Sequence, residues 1–410
     1  MNYVIIGNSA AAIGAVQGIR QNDKTGGITI ISDETYHTYS RPLISYWLKG
    51  AVTEQNIRYR DFDFYKENNV ETKFGVSAVS FDPDAKTVEL SDGSTVSYDK
   101  LLIATGSKPF CPPTEGYETV KKSFTFMKFD DAKAVKEALF PGAKVLIVGA
   151  GLIGLKAAEA VHEYTENITV IDLADRILSS ILDEDAASIM KKHIEGKGVN
   201  FKLGTSVSKY TENSALLSNG DTIDFDILIT AVGVRPNTEL VKNAGGKVNR
   251  GIVTDKTQAV LELKDVYAAG DCTESIDVTT NESKILALLP NAFLQGEVAG
   301  KNMAGEYIYY VNAIPMNAIG FFGLHIITAG TYDGDEFVTV SGENYKKLVI
   351  RDGFLKGYIL MGEVDRAGIY TSLIKERIGI EDCDFDMLKK SPQMAAFARI
   401  RRDKKLAEFH

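Results

Sequence analysis

The stretch VIIGNSAAA at residues 4–12 decides the fold class of this chain, together with its counterpart VLIVGAGLIG at residues 145–154. Each is an apolar run that predicts a β-strand and leads into a Gly-rich turn and an Ala-rich helical stretch. In this setting one small residue permits the tight turn, a second lets the backbone approach a pyrophosphate, and a third packs the helix on the strand. The phosphate then lies at the helix N-terminus. Two such loops predict two dinucleotides in one chain, with electrons passing between them.

Length and composition predict a soluble protein of several domains. A chain of 410 residues is too long for one core, so two or three domains are expected. No apolar run approaches the roughly 18–20 residues of a membrane span, and no signal peptide precedes the first strand, so we expect a cytoplasmic protein without membrane contact. The net charge of −9 argues against binding to nucleic acid.

The cysteines form no recognisable motif. Cys111, Cys272 and Cys383 are far apart, without a C-x-x-C pair or a Cys/His cluster at metal-ligand spacing. We therefore expect three reduced thiols and no bound metal.

A second pair of matching segments indicates an internal duplication. DKLLIATGSKP at residues 99–109 is echoed by DILITAVGVRP at residues 226–236, and both predict a strand that ends in a small-x-Gly-x-basic-Pro turn. Each follows a β-meander whose hairpin turn is Asp92-Gly93 or Asn219-Gly220. The alternation of strands and helices favours an α/β fold with two Rossmann-like, three-layer dinucleotide-binding domains.

The order of the segments predicts the domain organisation. From about residue 313 the pattern changes to short β-rich segments, with a hairpin at Arg351-Asp352-Gly353, followed by two amphipathic helical stretches. This region predicts a small α+β domain over residues 313–410. Residues 1–110 and 235–312 are expected to form one discontinuous dinucleotide-binding domain, and residues 111–234 the other.

With these elements the chain resembles the FAD-dependent pyridine nucleotide oxidoreductases of the two-Rossmann, glutathione-reductase-like fold. The resemblance covers residues 1 to about 380, and it is greatest to the NADH:rubredoxin oxidoreductases and the flavin portion of nitrite reductase large subunits. It implies that the discontinuous domain binds FAD and that the other domain binds NADH.

The resemblance also implies which residues contact FAD. An acidic side chain after the second strand accepts hydrogen bonds from ribose hydroxyls, and Asp33 is the better candidate with Glu34 in reserve. Arg41 offers a fixed fork of donors to phosphate, the alternative being a surface ion pair. Asp271 is implied to hold a ribityl hydroxyl. The helix that begins near Pro290 is implied to stabilise negative charge on the reduced flavin. The full set is Gly7, Ser9, Ala12, Asp33, Glu34, Arg41, Pro42, Val76, Thr105, Gly106, Gly270, Asp271, Pro290 and Asn291.

The second loop is implied to bind NADH through Gly149, Gly151 and Gly154, with Gly233 at the end of a later strand. Asp172 ends the neighbouring strand, where a carboxylate accepts the adenosine 2′-hydroxyl and repels a 2′-phosphate. Asp172 therefore favours NADH, and NADPH is the less favoured alternative.

Two departures from the family pattern bear on the chemistry. Residues 37–49 lack the redox cysteines of many disulfide reductases, so chemistry that needs a thiolate is disfavoured. Relatives often place a lysine and a glutamate beside the flavin, where this chain has Tyr46 and Lys156. We expect Lys156 either to stabilise reduced flavin from the other side of the site or to be a partly exposed helix residue.

The resemblance implies hydride transfer from NADH to FAD and delivery of electrons to a small acidic carrier such as rubredoxin or ferredoxin. The basic run at residues 399–405 is the candidate docking segment. The alternatives are an NADH oxidase or small-molecule reductase, a flavin input subunit of a nitrite-reductase-like system, and a redox-sensing flavoprotein. A monomer and a homodimer are both compatible with the sequence.

Overall fold

The two Gly-rich loops follow the central strands of two parallel sheets. The structure is a computed structural model that describes residues 1–311 and 313–397. Its first elements are β1 (Asn2–Ile6), α1 (Ala10–Asn22), β2 (Gly27–Ser32), α2 (Ile44–Leu48), α3 (Phe64–Glu67), β3 (Val70–Phe74), β4 (Ala78–Asp82), β5 (Thr87–Leu90), β6 (Thr95–Ser97), β7 (Lys100–Ile103) and β8 (Ser107–Pro109). Strand β1 pairs in parallel with β2 on one side and β7 on the other. Its buried apolar residues are therefore covered on both faces, as expected for a central parallel strand.

The second half repeats this arrangement. Its elements are β9 (Ser123–Phe124), α4 (Phe129–Ala138), β10 (Val145–Val148), α5 (Leu152–Val161), β11 (Ile168–Asp172), α6 (Glu184–Glu195), β12 (Asn200–Leu203), β13 (Val207–Tyr210), β14 (Ser214–Leu217), β15 (Thr222–Asp224), β16 (Ile227–Thr230) and β17 (Val234–Pro236). Strand β10 lies between β11 and β16, just as β1 lies between β2 and β7. The sheet order is β12-β11-β10-β16-β9. The duplication predicted from the sequence therefore extends to the order of strands around each loop.

Both predicted hairpins are present. In the first half Val88 pairs with Val96 across the Asp92-Gly93 turn, and in the second half Ala215 pairs with Ile223. Each hairpin belongs to a three-stranded antiparallel sheet, β4-β5-β6 or β13-β14-β15.

The chain then returns to the first sheet. The returning elements are α7 (Glu239–Asn243), β18 (Val266–Ala268), β19 (Ser275–Ile276), β20 (Ser283–Lys284) and α8 (Leu289–Met303). Strand β18 adds to β7 in parallel, which gives the order β18-β7-β1-β2-β3.

The two chain segments that connect the parallel sheets lie side by side. Strands β8 and β17, which belong to the echoed segments, pair with each other in antiparallel register. Beside them the Thr105 hydroxyl donates to the Asn237 carbonyl at 2.9 Å, and the Asn237 amide donates to the Thr105 carbonyl at 2.8 Å. The two connections therefore form one short ribbon between the halves.

Helices α1 and α8 run in the same direction. They pack closely against each other because small residues line their contact. A Cβ atom on Gly296 would lie 1.9 Å from the Ala11 carbonyl oxygen, and one on Gly300 would lie 2.2 Å from the Ala15 oxygen. The close approach brings both helix N-termini to the same end of the first sheet.

The C-terminal region contains β21 (Met316–Phe321), β22 (Leu324–Gly330), β23 (Asp335–Ser341), β24 (Asn344–Arg351), β25 (Phe354–Met361), α9 (Ala367–Lys375) and α10 (Phe385–Lys390). Its strands form an antiparallel sheet in the order β21-β22-β25-β24-β23, and the predicted turn at Asp352-Gly353 joins β24 to β25. The α/β fold with two Rossmann-like sheets and a C-terminal α+β region is thus confirmed. Among the described residues, none of the helices has the length and apolar character needed to cross a lipid bilayer.

Candidate functional site

One large cavity receives both Gly-rich loops. Its volume is about 1510 Å³, and its walls include both parallel sheets and strand β21 of the C-terminal sheet. A pocket for a single drug-sized ligand has roughly 300–1,000 Å³, so this cavity has room for more than one such ligand.

Most residues that the sequence singled out lie on the cavity wall. Two do not: Ala12 and Gly154 were expected to contact FAD and NADH, but as the third small residues of the two loops they pack helix on strand and are absent from the wall. Ala12 is fully buried, and a Cβ atom on Gly154 would lie 1.9 Å from the Gly149 carbonyl oxygen. The residues on the wall are Gly7, Ser9, Asp33, Glu34, Arg41, Pro42, Tyr46, Val76, Thr105, Gly106, Gly149, Gly151, Lys156, Asp172, Gly233, Gly270, Asp271, Pro290 and Asn291.

The two loops have the same backbone geometry. Gly7 has φ +116° and Gly149 has φ +115°, in the region that side chains other than glycine rarely adopt. A Cβ atom would lie 2.1 Å from the Ala104 oxygen at Gly7 and 2.3 Å from the Ala231 oxygen at Gly149. At Gly151 a Cβ atom would meet nothing within 4 Å, so the cavity leaves room beside this backbone for a ligand.

Three helix N-termini border the cavity. The first residues of α1, α5 and α8 are all part of its wall. The unpaired N–H groups and the dipole of a helix N-terminus attract phosphate and other anions. The glycine cradles and the N-termini of α1 and α5 therefore fit the two pyrophosphates of a pair of dinucleotides, and the N-terminus of α8 is a further place that favours negative charge.

The acidic residues after β2 have different partners. Glu34 is mostly buried, forms an ion pair with Arg41 at 2.7 Å and accepts a hydrogen bond from the Tyr39 hydroxyl at 2.6 Å. Asp33 is more exposed and pairs with Lys128 at 2.7 Å. Arg41 was expected either to contact a cofactor phosphate or to form an ion pair. It forms the ion pair and also lines the cavity, so the two roles are compatible.

Asp271 is a half-buried acid of the cavity wall. Its one hydrogen bond among the described residues is from the Ser107 hydroxyl at 3.3 Å, and burial raises the pKa of its carboxyl. The Gly270 amide donates to the Gln295 side chain at 2.8 Å, which fixes this turn to α8. A half-buried carboxylate with so few donors has acceptor capacity for a ligand hydroxyl, as the sequence implied.

Asp172 has a structural role that the sequence did not indicate. Its carboxylate accepts hydrogen bonds from the Ala150 amide at 2.6 Å and the Ala174 amide at 2.8 Å. It therefore holds the second Gly-rich loop against the end of β11. Each carboxylate oxygen has a further lone pair that remains available to a ribose hydroxyl.

Lys156 and Tyr46 meet at the cavity wall. The Lys156 ammonium lies 4.4 Å from the centre of the Tyr46 ring, donates to the Gly320 carbonyl at 3.2 Å and forms an ion pair with Glu159 at 2.5 Å. Sequence reasoning missed Glu159, although its spacing of three residues from Lys156 on a helix places the two on one face.

Cys272 is the cysteine next to a candidate site residue. Cys272 follows Asp271 but is fully buried, and burial raises the pKa of its thiol to about 11. Cys111 and Cys272 form no disulfide, and no group of three or more potential ligands is placed to hold a metal within residues 1–311 and 313–397.

The C-terminal sheet also contributes to the wall, which no motif predicted. Met316, Asn317, Ala318 and Ile319 of β21 and Lys375 at the end of α9 line the cavity. Alternating apolar residues of an ordinary strand carry no local signal of this role.

Comparison with known proteins agrees with this geometry. The profile described as pyridine nucleotide-disulphide oxidoreductase matches residues 1–296, and that described as rubredoxin NAD+ reductase C-terminal domain matches residues 315–378. The NADH-dependent phenylglyoxylate dehydrogenase subunit epsilon of Aromatoleum evansii is 32% identical over 390 residues, which are 92% of this chain and 91% of that protein.

Two further relatives are similar over most of the chain. The NADH-rubredoxin oxidoreductase of Clostridium acetobutylicum is 28% identical over 83% of this chain and 86% of its own length. The solved structure of a NAD-dependent persulfide reductase from A. fulgidus has a TM-score of 0.87 and 28% identity, covering 94% of this chain and 79% of that one. Together with the cradles and helix N-termini, these matches confirm FAD and NADH as the cofactors. The chain belongs to the pyridine nucleotide-disulphide oxidoreductase family.

Proposed function

We propose that this protein is an FAD-dependent NADH oxidoreductase that passes electrons to a small redox protein of the rubredoxin or ferredoxin type. The observation that carries the proposal is the single cavity of about 1510 Å³ into which both Gly-rich loops open. The match of residues 315–378 to the rubredoxin reductase C-terminal domain supports the choice of acceptor.

The first loop holds FAD and the second holds NADH in this proposal. Residues 1–110 and 235–312 form the FAD-binding domain, residues 111–234 the NADH-binding domain, and residues 313–410 the C-terminal domain. The two parallel sheets, joined by the paired strands β8 and β17, support this division. Asp33 serves the FAD ribose better than Glu34, because Arg41 and Tyr39 already occupy the Glu34 carboxylate.

The protein's task is to hold and orient the cofactors. When bound, FAD supplies the ability to take a hydride from NADH and to release electrons one at a time. The N-termini of α1 and α5 bind pyrophosphate, and Asp271 accepts a hydroxyl hydrogen bond. Asp172 favours NADH through the ribose and against a 2′-phosphate. Lys156 places positive charge at the cavity wall and thereby stabilises the reduced cofactor.

The acceptor in this proposal is a small acidic protein, and the enzyme is cytoplasmic and acts as a monomer or homodimer. The basic run at residues 399–405, expected to dock the carrier, lies outside the described residues. Docking between opposite charges accelerates association and weakens as salt screens the attraction.

Turnover with a panel of acceptors tests the proposal. NADH oxidation is measured with rubredoxin, ferredoxin, oxygen and ferricyanide, each at low and high salt. We expect the highest kcat/KM with a protein carrier, with a steep loss at high salt that ferricyanide does not show. Fast turnover with oxygen and none with either carrier would instead identify an NADH oxidase.

A second candidate is an electron-transfer subunit of a larger enzyme. It is favoured by the match to subunit epsilon of an NADH-dependent dehydrogenase over 91% of that subunit. This candidate predicts that affinity purification of the tagged chain from its own cells yields a stable complex with further catalytic subunits.

A further inference from the structure

Glu159 lies one turn after Lys156 on the same face of helix α5. Lys156 is part of the cavity wall and Glu159 is not, although the Glu159 side chain is only 9% exposed. One carboxylate oxygen of Glu159 is 2.5 Å from the Lys156 ammonium, and the other is 3.4 Å from the ammonium of Lys49. A single buried carboxylate therefore lies between two cations.

The Lys156 ammonium is held by three elements. Besides Glu159 on its own helix, it contacts the Gly320 carbonyl of β21 and the Tyr46 ring of α2. Its side chain is 12% exposed, so it has little freedom to turn into solvent. The position of this cation is consequently a property of the packed site rather than of a mobile surface side chain.

The charges of the cluster do not cancel. Lys49 and Lys156 contribute two positive charges against one negative charge on Glu159. The next acid, Glu163, is 3.6 Å from Lys49 but is 47% exposed, where solvent weakens its effect. Of these groups only Lys156 lines the cavity, so its ammonium is the charge of the cluster that a bound cofactor meets. A flavin gains negative charge on reduction, so nearby positive charge favours the reduced form.

We propose that Glu159 is a positioning residue that fixes the Lys156 ammonium at the cavity wall and limits the positive charge that the bound flavin meets. Lys49 balances part of the Glu159 charge, so that the carboxylate is held without cancelling Lys156 completely. The proposal rests on the proposed function, because it requires FAD in the cavity. The competing interpretation is an ion pair that only joins α2 to α5.

The test measures the midpoint potential of FAD in the intact holoenzyme at pH 7, for the wild type, Glu159→Gln, Lys156→Met and the double variant. Removing the carboxylate leaves more net positive charge, so we expect Glu159→Gln to shift the equilibrium between NADH and FAD toward reduced flavin by about tenfold or more. Lys156→Met should shift it in the opposite direction. The direct effect of the lost carboxylate charge persists in the Lys156→Met background, whereas the part of the shift that depends on Lys156 does not, so the effect of Glu159→Gln should be smaller there.

The matched control is Glu195→Gln, which breaks a Lys–Glu pair of the same length, 2.5 Å, on the exposed face of α6. It should leave the potential unchanged. If Glu159→Gln does not fold, Glu159→Met takes its place, because it removes the same charge at a similar side-chain size and should shift the potential in the same direction.

The proposal is overturned if the Glu159 variant has the wild-type potential, if it shifts the potential in the same direction as Lys156→Met, or if its effect is equally large without Lys156. These results differ from a failure of the proposed function. In that case the wild-type protein would bind no FAD or its flavin would not be reduced by NADH.

Discussion

At the scale of single residues, the two loop glycines offer a matched test of which loop serves which cofactor. Alanine at Gly7 or Gly149 would place a Cβ atom within 2.3 Å of a backbone oxygen at a positive φ. We expect Gly7→Ala to be purified largely without FAD. Gly149→Ala should retain FAD but show a KM for NADH raised at least about tenfold, because the loop can no longer approach the pyrophosphate.

The control for this pair is Gly142→Ala. Gly142 also has a positive φ, +82°, but a Cβ atom there meets nothing within 4 Å. This variant should bind both cofactors normally and lose only some stability from backbone strain, about 1–2 kcal/mol. Loss of FAD in Gly149→Ala with full retention in Gly7→Ala would reverse the assignment of the loops.

Asp172 provides the second prediction at this scale. Asparagine keeps an oxygen for one of the two loop amides, at Ala150 and Ala174, but removes the charge that repels a 2′-phosphate. We expect Asp172→Asn to raise the ratio of kcat/KM for NADPH to that for NADH by about tenfold or more. An unchanged ratio, with FAD content as in the wild type, would sink the assignment of Asp172 to the ribose.

Most of the candidate residues that the local motifs predicted lie on the cavity wall, because small residues and turn acids have strict spacing around a bound dinucleotide. The partners of Asp172 and the pairing of Lys156 with Glu159 and Lys49 were not predicted. Lys49 and Glu159 are 110 residues apart in the chain, so their contact depends on the packing of α2 against α5.

At the scale of elements, the contact between α1 and α8 positions two of the helix N-termini at the cavity. Replacing an exposed helical glycine by alanine normally raises the free energy of unfolding by up to about 1 kcal/mol. At Gly296 the new Cβ atom would lie 1.9 Å from a backbone oxygen of α1, so the helices must separate. We expect Gly296→Ala to destabilise the protein by about 1–3 kcal/mol and to weaken FAD binding.

Gly368→Ala in α9 is the matched control, because a Cβ atom there meets nothing within 4 Å. It should leave stability unchanged or raise it. Both variants are compared by denaturant unfolding and by FAD content after gel filtration. Equal effects of the two substitutions would show that the approach of α1 and α8 is not the limiting contact.

The sequence predicted the hairpins and the parallel strands, since both have local signals in Asn-Gly or Asp-Gly turns and in apolar runs. It also showed that the segments ending at Pro109 and Pro236 are alike. Their pairing as β8 and β17 was not predicted, because nothing in either segment indicates that its partner is its own duplicate.

At the scale of the whole molecule, Asp183 joins the second half to the C-terminal sheet. It accepts hydrogen bonds from the Tyr345 hydroxyl at 2.6 Å and the Lys347 ammonium at 3.0 Å. Burial alone would raise the pKa of Asp183, but these bonds and one from the Ala186 amide hold the pKa below its usual value. A lowered folded pKa means that the contact stabilises above the unfolded pKa of about 3.9 and is lost as the pH falls through the folded value.

We therefore expect Asp183→Asn to lower the free energy of unfolding at pH 7 by about 1–3 kcal/mol. The difference from the wild type should shrink as the pH falls toward and below about 4. Asp333→Asn, which removes an exposed partner of Arg351, should have little effect at any pH. Unfolding curves across this pH range decide the matter, and a difference that does not change with pH would contradict the role assigned to Asp183.

The position of the C-terminal sheet beside the cavity was not predicted from the sequence. The sheet itself and its turn at Asp352-Gly353 were expected, but the contribution of β21 to the cavity was not. That contribution depends on how the C-terminal sheet packs against the other two, which no periodic pattern within β21 specifies.

Anaerobic stopped-flow mixing of the purified holoenzyme with NADH, followed by mixing with oxidised rubredoxin, follows the electrons from NADH through the flavin to the carrier. If both cofactors share one cavity and electrons leave through the flavin to a protein carrier, one NADH will bleach one FAD faster than steady-state turnover, and rubredoxin will restore the flavin absorbance within a turnover. A flavin that NADH does not bleach, or a reduced flavin that neither rubredoxin nor ferredoxin reoxidises, would contradict this path of electrons.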